Sequence, residues 1–235
     1  MNDCWNCIHL EKRSGGFQYC LVESGIRRNI DANKDRCESY QEESESIENK
    51  RKKVAVFGSS RTKEGSGLYK AVEKLGKNIA KNGWIVVTGG GPGTMEAANK
   101  GAVSVCSDPN EICSVAQAIT LPFEDGVNEY VQEYEQHETF YSRLKTFSDC
   151  DAFVVTPGGI GTLLEMALIY QLVQAQHMDS KPIICVGRMW RTLKVWIEDE
   201  MVDNGFLNNE EMKLIHYVDR FSEATHLLKG LLKSE

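Results

Sequence analysis

The chain has 235 residues, enough for one α/β domain and a small appendage. A formal net charge of −7 argues against a nucleic-acid surface, which needs a basic patch, but leaves small acidic ligands open. No apolar stretch approaches the roughly 18–20 residues of a membrane helix, and the N-terminus lacks a signal peptide's basic and apolar regions. A cytoplasmic protein is expected, whose eight Cys serve as thiols or metal ligands rather than as disulfides.

Residues 1–40 show no sustained helix or strand period. They carry Cys4, Cys7, Cys20 and Cys37, and Cys4-Trp5-Asn6-Cys7 sets two thiolates on one tight turn. Four soft ligands suit a structural zinc that closes a module too small for its own core. An iron–sulfur cluster uses the same thiolates and is the nearest rival. Residues 41–52 are almost devoid of apolar side chains and read as a charged, solvated linker.

From residue 53 to 235, short apolar runs alternate with amphipathic segments. Strands are predicted at 54–57, 84–88, 115–120, 152–156, 182–186 and 214–218. Helices are predicted at 66–82, 94–106, 129–149, 161–177, 190–203 and 221–233. That alternation predicts an α/β domain, a Rossmann-like parallel sheet with helices on both faces. Cys106, Cys113, Cys150 and Cys185 sit in apolar contexts and read as small core residues.

Two glycine-rich turns follow apolar runs and open helices. One is Gly89-Gly90-Gly91-Pro92-Gly93-Thr94-Met95-Glu96; the other is Pro157-Gly158-Gly159-Ile160-Gly161-Thr162-Leu163-Leu164-Glu165. Glycines let backbone N–H groups approach a ligand, and a helix start favours an anion such as phosphate. A Glu beside each phosphate-type turn points to chemistry or sugar recognition next to the anion. Neither turn has the dinucleotide or P-loop spacing, so hydride transfer and NTP hydrolysis are not indicated. A third loop, Gly58-Ser59-Ser60-Arg61, leaves the first strand of this domain at what should be the same edge of the sheet.

Val-Phe-Gly-Ser-Ser-Arg (56–61), Thr-Gly-Gly-Gly-Pro-Gly-Thr-Met-Glu-Ala-Ala-Asn-Lys-Gly-Ala (88–102), Leu-Pro-Phe-Glu (121–124) and Pro-Gly-Gly-Ile-Gly-Thr-Leu-Leu-Glu (157–165) together resemble the Lonely Guy family. The resemblance spans about residues 53 to 220, and the cysteine module lies outside the family pattern. It implies a nucleoside 5′-monophosphate phosphoribohydrolase, which cleaves the N-glycosidic bond to free base and ribose 5-phosphate without a catalytic cofactor. Purine or cytokinin-type mononucleotides are the implied substrates. The family's older label, lysine decarboxylase, would require a Schiff-base Lys that nothing in the sequence singles out.

By the same resemblance, Gly158, Gly159, Gly161 and Thr162 hold the 5′-phosphate and Glu165 is the essential carboxylate. A carboxylate there stabilises an oxocarbenium-like state and positions or deprotonates water. The family's Arg-Lys pair corresponds to Arg143-Leu144 with Leu replacing Lys, or to Ser142-Arg143 in a gapless alignment; the flanking Phe140 and Phe147 favour the first. Gly58, Ser59, Ser60, Gly90, Gly91, Gly93, Thr94 and Glu96 are candidates for ribose and base contacts. Ser59 and Ser60 read equally well as turn caps. Two other readings remain: a non-catalytic nucleotide or cofactor carrier, and a binding protein regulated through the metal module. The 163–173 helix is apolar around most of its surface, and family relatives assemble, so a homodimer or larger is expected.

Overall fold

In the computed structural model, the structure describes residues 51–232 except 109 and 121–125, and the backbone of 10–12, 18–22 and 25–27. The chain divides into two units, Met1–Lys50 and Arg51–Glu235. Within the first, β1 (Leu10–Lys12), β2 (Gln18–Val22) and β3 (Gly25–Arg27) form an antiparallel sheet, with Cys20 paired to Leu10 and Arg27. No strand period stands out in the sequence here, because strands of three to five residues are too short to establish one. The side chain of Cys20 and the whole of Cys4, Cys7 and Cys37 lie outside the described residues, as does the Leu121–Glu124 motif.

The second unit alternates strands and helices. In chain order they are β4 (Lys53–Phe57), α1 (Gly67–Lys81), β5 (Ile85–Thr88), α2 (Thr94–Val103), β6 (Ser114–Ile119), β7 (Glu133–His137) and α3 (Phe140–Phe147). Then come β8 (Ala152–Val155), α4 (Ile160–Gln174), β9 (Ile183–Val186), α5 (Arg188–Ile197), a π-helical turn at Glu198–Val202, α6 (Asn209–Met212), β10 (Ile215–Val218) and α7 (Phe221–Leu232). β4 to β10 form a parallel seven-stranded sheet in the order β10-β9-β8-β4-β5-β6-β7.

Strand pleating sends successive side chains to opposite faces. Val54 and Val56 join Val72, Leu75 and Ile79 of α1 and Leu228 of α7 in one core. Ala55 and Phe57 join Phe147 of α3, Met166 and Ile169 of α4 and Trp190 of α5 in the other. Burial on both faces makes β4, β8 and β9 continuous apolar runs.

Two sequence expectations change. The helix read over 129–149 is a strand, a turn and the short α3, because β7 is a polar edge strand with four of its five side chains exposed. It has no apolar run to betray it; its ladder to β6 from Val115↔Glu133 to Ile119↔His137 defines it. Cys106 and Cys113 are joined in a disulfide that ties the turn after α2 to the residue before β6. Their Cα atoms are 6.3 Å apart, within bridging range, so local geometry permits what compartment arguments disfavoured. Cys150 and Cys185 are buried thiols, as expected of core residues.

The sheet's winding reverses at its centre. The chain runs outward from β4 through β5, β6 and β7, then returns to β8 on β4's other side. Loops leaving β4 and β8 diverge there, and ligands of such sheets bind at that crevice beyond the strands' carboxyl ends.

Candidate active site

A cleft of about 800 Å³ opens at this crevice. It is lined by the loop after β4 (Gly58, Ser59, Ser60, Arg61, Thr62), by Gly89 and Gly91, by Arg143 and Leu144 of α3, and by Pro157–Thr162, Leu164 and Glu165. Of the residues singled out by sequence, Gly58, Ser59, Ser60, Gly91, Arg143, Gly158, Gly159, Gly161, Thr162 and Glu165 meet there. Gly90, Gly93, Thr94 and Glu96 lie outside the lining.

The two glycine turns differ in what their N–H groups do. In the first, Gly90 N–H donates to Thr88 Oγ1 (3.0 Å) and Thr94 N–H donates to Ser59 O (3.0 Å). Glu96 stands in the first turn of α2 and offsets its positive end. That carboxylate accepts from Tyr69 Oη of α1 at 2.5 Å, and Thr94 shares a hydrogen bond with Thr62 Oγ1 at 2.9 Å. Two donors of the first turn, Gly90 N–H and Thr94 N–H, are therefore satisfied from within. In the second, Gly159 precedes α4 without a capping side chain, and no acidic residue occupies the first turn. The helix-start N–H groups have no intrahelical partners. A Cβ on Gly159 or Gly161 would meet nothing within 4 Å, so backbone there borders open space. The second turn is the one with helix-start N–H groups facing open space.

A buried polar network fixes the first turn. Thr88 Oγ1 donates to Asn99 Oδ1 (2.8 Å), and Asn99 Nδ2 donates to Ser114 Oγ (2.8 Å). Asn128 Nδ2 donates to Gly90 O (2.9 Å), Gly91 O (3.0 Å) and Asn99 Oδ1 (3.1 Å). Gly90 itself requires φ of +79°, which a side chain resists. The sequence carried one hint of this network: Asn99 is the polar exception on an Ala-rich helix face.

Arg143 and Glu165 pair inside the cleft. Arg143 Nη2 donates to Glu165 Oε1 at 3.2 Å, and the two side chains are only 11% and 13% exposed. Arg143 is the α3 residue that faces Glu165. Ser142, the gapless alternative, is taken up by Thr139, to whose Oγ1 its N–H donates at 3.1 Å. Burial pushes the Glu165 carboxyl up from 4.5 to about 7, with Arg143 pulling the other way. Arg143 Nε is buried with no hydrogen-bond partner among the described residues. An unmade bond on a buried charged donor is costly, and an oxygen of a bound ligand would satisfy it. His137, by contrast, is bound to Gln117 at 2.8 Å and is structural.

Gly89 supports Arg143 directly. An alanine Cβ there would lie 2.2 Å from Arg143 Nη2 and 2.8 Å from Met95 Sδ. Both are ends of flexible side chains, so Gly89→Ala should fold while displacing the guanidinium. Turnover is expected to fall by about 100-fold, the cost of roughly 1 Å of misplacement. Melting temperature and activity measured side by side check this; full activity would deny the contact a role.

Residues 95–228 match the family described as "Possible lysine decarboxylase", and residues 51–106 match the SLOG cluster4 family. A Mycobacterium tuberculosis protein named cytokinin riboside 5′-monophosphate phosphoribohydrolase is 28% identical over 174 residues, covering 73% of this chain and 90% of that one. A protein of the same name from Mycobacterium marinum is 25% identical over 160 residues, covering 67% and 83%. Among solved structures, the molybdenum cofactor binding protein of Rippkaea orientalis superposes with a TM-score of 0.58 at 20% identity, covering 78% of this chain and 98% of that one. The Moco carrier protein of Chlamydomonas reinhardtii gives 0.56 at 24%, covering 79% and 99%. These structural likenesses concern the fold.

Proposed function

The chain belongs to the Lonely Guy family, the group described as "Possible lysine decarboxylase", and from that premise we propose that it hydrolyses the N-glycosidic bond of a nucleoside 5′-monophosphate. The observation that carries the reading is the buried Arg143–Glu165 pair set beside an uncapped glycine turn in one cleft. The names of the two mycobacterial relatives point the same way. Purine or cytokinin-type mononucleotides are the proposed substrates, in the cytoplasm.

The 5′-phosphate rests on the N–H groups of the Gly158–Thr162 turn, where the start of α4 favours negative charge. Glu165, the sixth residue of α4, then stands beside the ribose. As the bond from C1′ to the base nitrogen breaks, positive charge builds on the sugar ring, and the carboxylate stabilises it. Water adds its oxygen to C1′ and gives its proton to Glu165, which passes it to the departing base. Arg143 keeps Glu165 oriented, and its unpartnered Nε donates to the substrate. Nothing in these steps calls for a catalytic cofactor.

The test is a panel of AMP, GMP, CMP, UMP and a cytokinin ribotide, assayed for free base, with Glu165→Ala as control. Release of base from at least one substrate, lost in the variant, supports the reading. A mononucleotide that raises the melting temperature without turnover would make the protein a nucleotide or cofactor carrier instead.

Two further assignments accompany this proposal. Ile160 and Leu164 of α4 and Phe140 of α3 are exposed along the cleft, and Tyr141 of α3 is exposed as well. A helix apolar on both sides calls for a second partner, and a second copy of the chain is the proposed one. Light scattering is expected to give a dimer or larger mass; a monomer at micromolar concentration would contradict it. Cys4, Cys7, Cys20 and Cys37 are proposed to hold a structural zinc, which four thiolates would coordinate without an open position. The expected content is about one zinc per full chain, with iron plus sulfide, or no metal, as the contrary results. Among the described residues, the other cluster of possible ligands is Cys106, Glu111 and Cys113, within 4.8 Å of one another. The disulfide engages both of its sulfurs.

A further inference from the structure

We infer that Arg61 is the cation that selects a phosphorylated substrate, an assignment that rests on the mononucleotide reading above. Among the described residues, the charged side chains lining the cleft are Arg61, Arg143 and Glu165. Arg143 and Glu165 are committed to each other at 3.2 Å, so their charges largely cancel when both are ionised. A phosphate monoester brings about −1.5 to −2 charges at neutral pH. A helix start supplies roughly half a positive charge, and the protein as a whole carries −7. Without Arg61 the cleft has no uncompensated cation with which to meet a dianion.

Placement agrees with the charge count. Arg61 is exposed and forms no ion pair with any described residue. The turn that bears it is nevertheless fixed. Arg61 N–H donates to Ser59 Oγ at 3.1 Å, Thr94 N–H to Ser59 O at 3.0 Å, and Thr62 Oγ1 meets Thr94 Oγ1 at 2.9 Å. β4 and β8 are hydrogen-bonded neighbours with Phe57 opposite Val155, and Thr156 N–H donates to Phe57 O at 2.9 Å. Neighbouring strands lie about 4.8 Å apart. The Ser59–Thr62 turn and the Gly158–Thr162 turn therefore leave the sheet side by side and line one cleft. Thr156 also explains why residue 58 is Gly: a Cβ there would lie 2.2 Å from Thr156 Oγ1. A firm backbone with a free, fork-shaped cation beside an anion subsite suits phosphate recognition. The unpartnered Nε of buried Arg143 is independent evidence that the cleft awaits a ligand oxygen.

The experiment compares the full-length wild type with Arg61→Ala and Arg61→Lys on AMP and on adenosine. Arg61 is exposed, so both variants should melt like the wild type. Arg61→Ala is expected to raise KM for AMP by about 10–100-fold, the worth of a charge-assisted hydrogen bond, with kcat within about threefold. Arg61→Lys should recover part of the loss, and activity on adenosine should not change. An unchanged KM for AMP, or an equal loss on adenosine, overturns the assignment. Should the wild type cleave no mononucleotide, the hydrolase reading fails on its own. Arg61 is then judged by calorimetric binding of ribose 5-phosphate. Weaker binding to Arg61→Ala than to wild type supports the assignment; equal binding, or none to the wild type, overturns it.

Discussion

Glu165→Gln is expected to lower kcat on a mononucleotide by about 10²–10⁴-fold while leaving KM nearly unchanged. The substitution keeps the shape and the hydrogen bond to Arg143 but removes the charge that faces the developing oxocarbenium and the base that takes the proton from water. Its pH signature is equally specific. The reaction needs the carboxylate, and burial has pushed this carboxyl up to about 7. Wild-type kcat/KM should therefore rise with pH through about 7 to a plateau. Stability runs the opposite way. A carboxyl held above its ordinary 4.5 favours the folded state fully below about 4.5, and that contribution is lost as pH rises through about 7. The rise from 4.5 to about 7 corresponds to about 3 kcal/mol. Glu165→Gln lacks this loss, so it should be the more stable protein at pH 8–9 by an amount that vanishes near pH 4. Urea titrations at the two pH values read the difference, and an equal difference at both would contradict the burial of charge at Glu165.

Arg143→Ala should cost about 10²–10³-fold in kcat, the usual scale for removing one preorganised electrostatic donor. Three contacts are lost together: the 3.2 Å bond to Glu165, the seat over Gly89, and the stacking of the guanidinium 5.6 Å from the centre of the Phe147 ring. Arg143 is the influence that lowers the pKa of Glu165, so removing it should move the acid limb of the rate profile to higher pH. Arg143→Lys should restore little, because a point charge cannot both reach Glu165 and present the Nε donor. A variant with an unmoved pH limb would show that the two groups are not coupled.

What the sequence disclosed follows from where free energy is concentrated. β4, β8 and β9 are buried on both faces, so their apolar runs announced them, and with them the doubly wound sheet. β7 sits at the edge with four of its five side chains in water, and its Glu-Tyr-Glu-Gln-His text has nothing to distinguish it from a polar helix. The Pro157–Glu165 turn was legible because its glycines, Thr and Glu recur at a fixed spacing, with Gly158 packed directly against Thr162. The two glycine turns nevertheless looked alike in sequence. Only the structure shows that Gly90 and Thr94 N–H of the first turn and Glu96 beside it are engaged within the protein, while Gly159 and Gly161 of the second border open space. Asn128 was invisible for another reason: its partners Gly90, Gly91 and Asn99 lie 29 to 38 residues away in the chain, and folding alone brings them together. The Cys106–Cys113 bridge joins residues seven apart across a turn whose closure no periodicity reports.

The central claim is that this cleft breaks a glycosidic bond through Glu165 rather than merely holding a nucleotide. The most direct measurement is product analysis of purified wild type and Glu165→Gln with the mononucleotide panel at pH 8, quantifying free base and ribose 5-phosphate. Equal amounts of the two products from the wild type, and a loss of at least about 100-fold in the variant, are the expected result. Mononucleotide binding with no base released by the wild type, or equal turnover by both proteins, would contradict it.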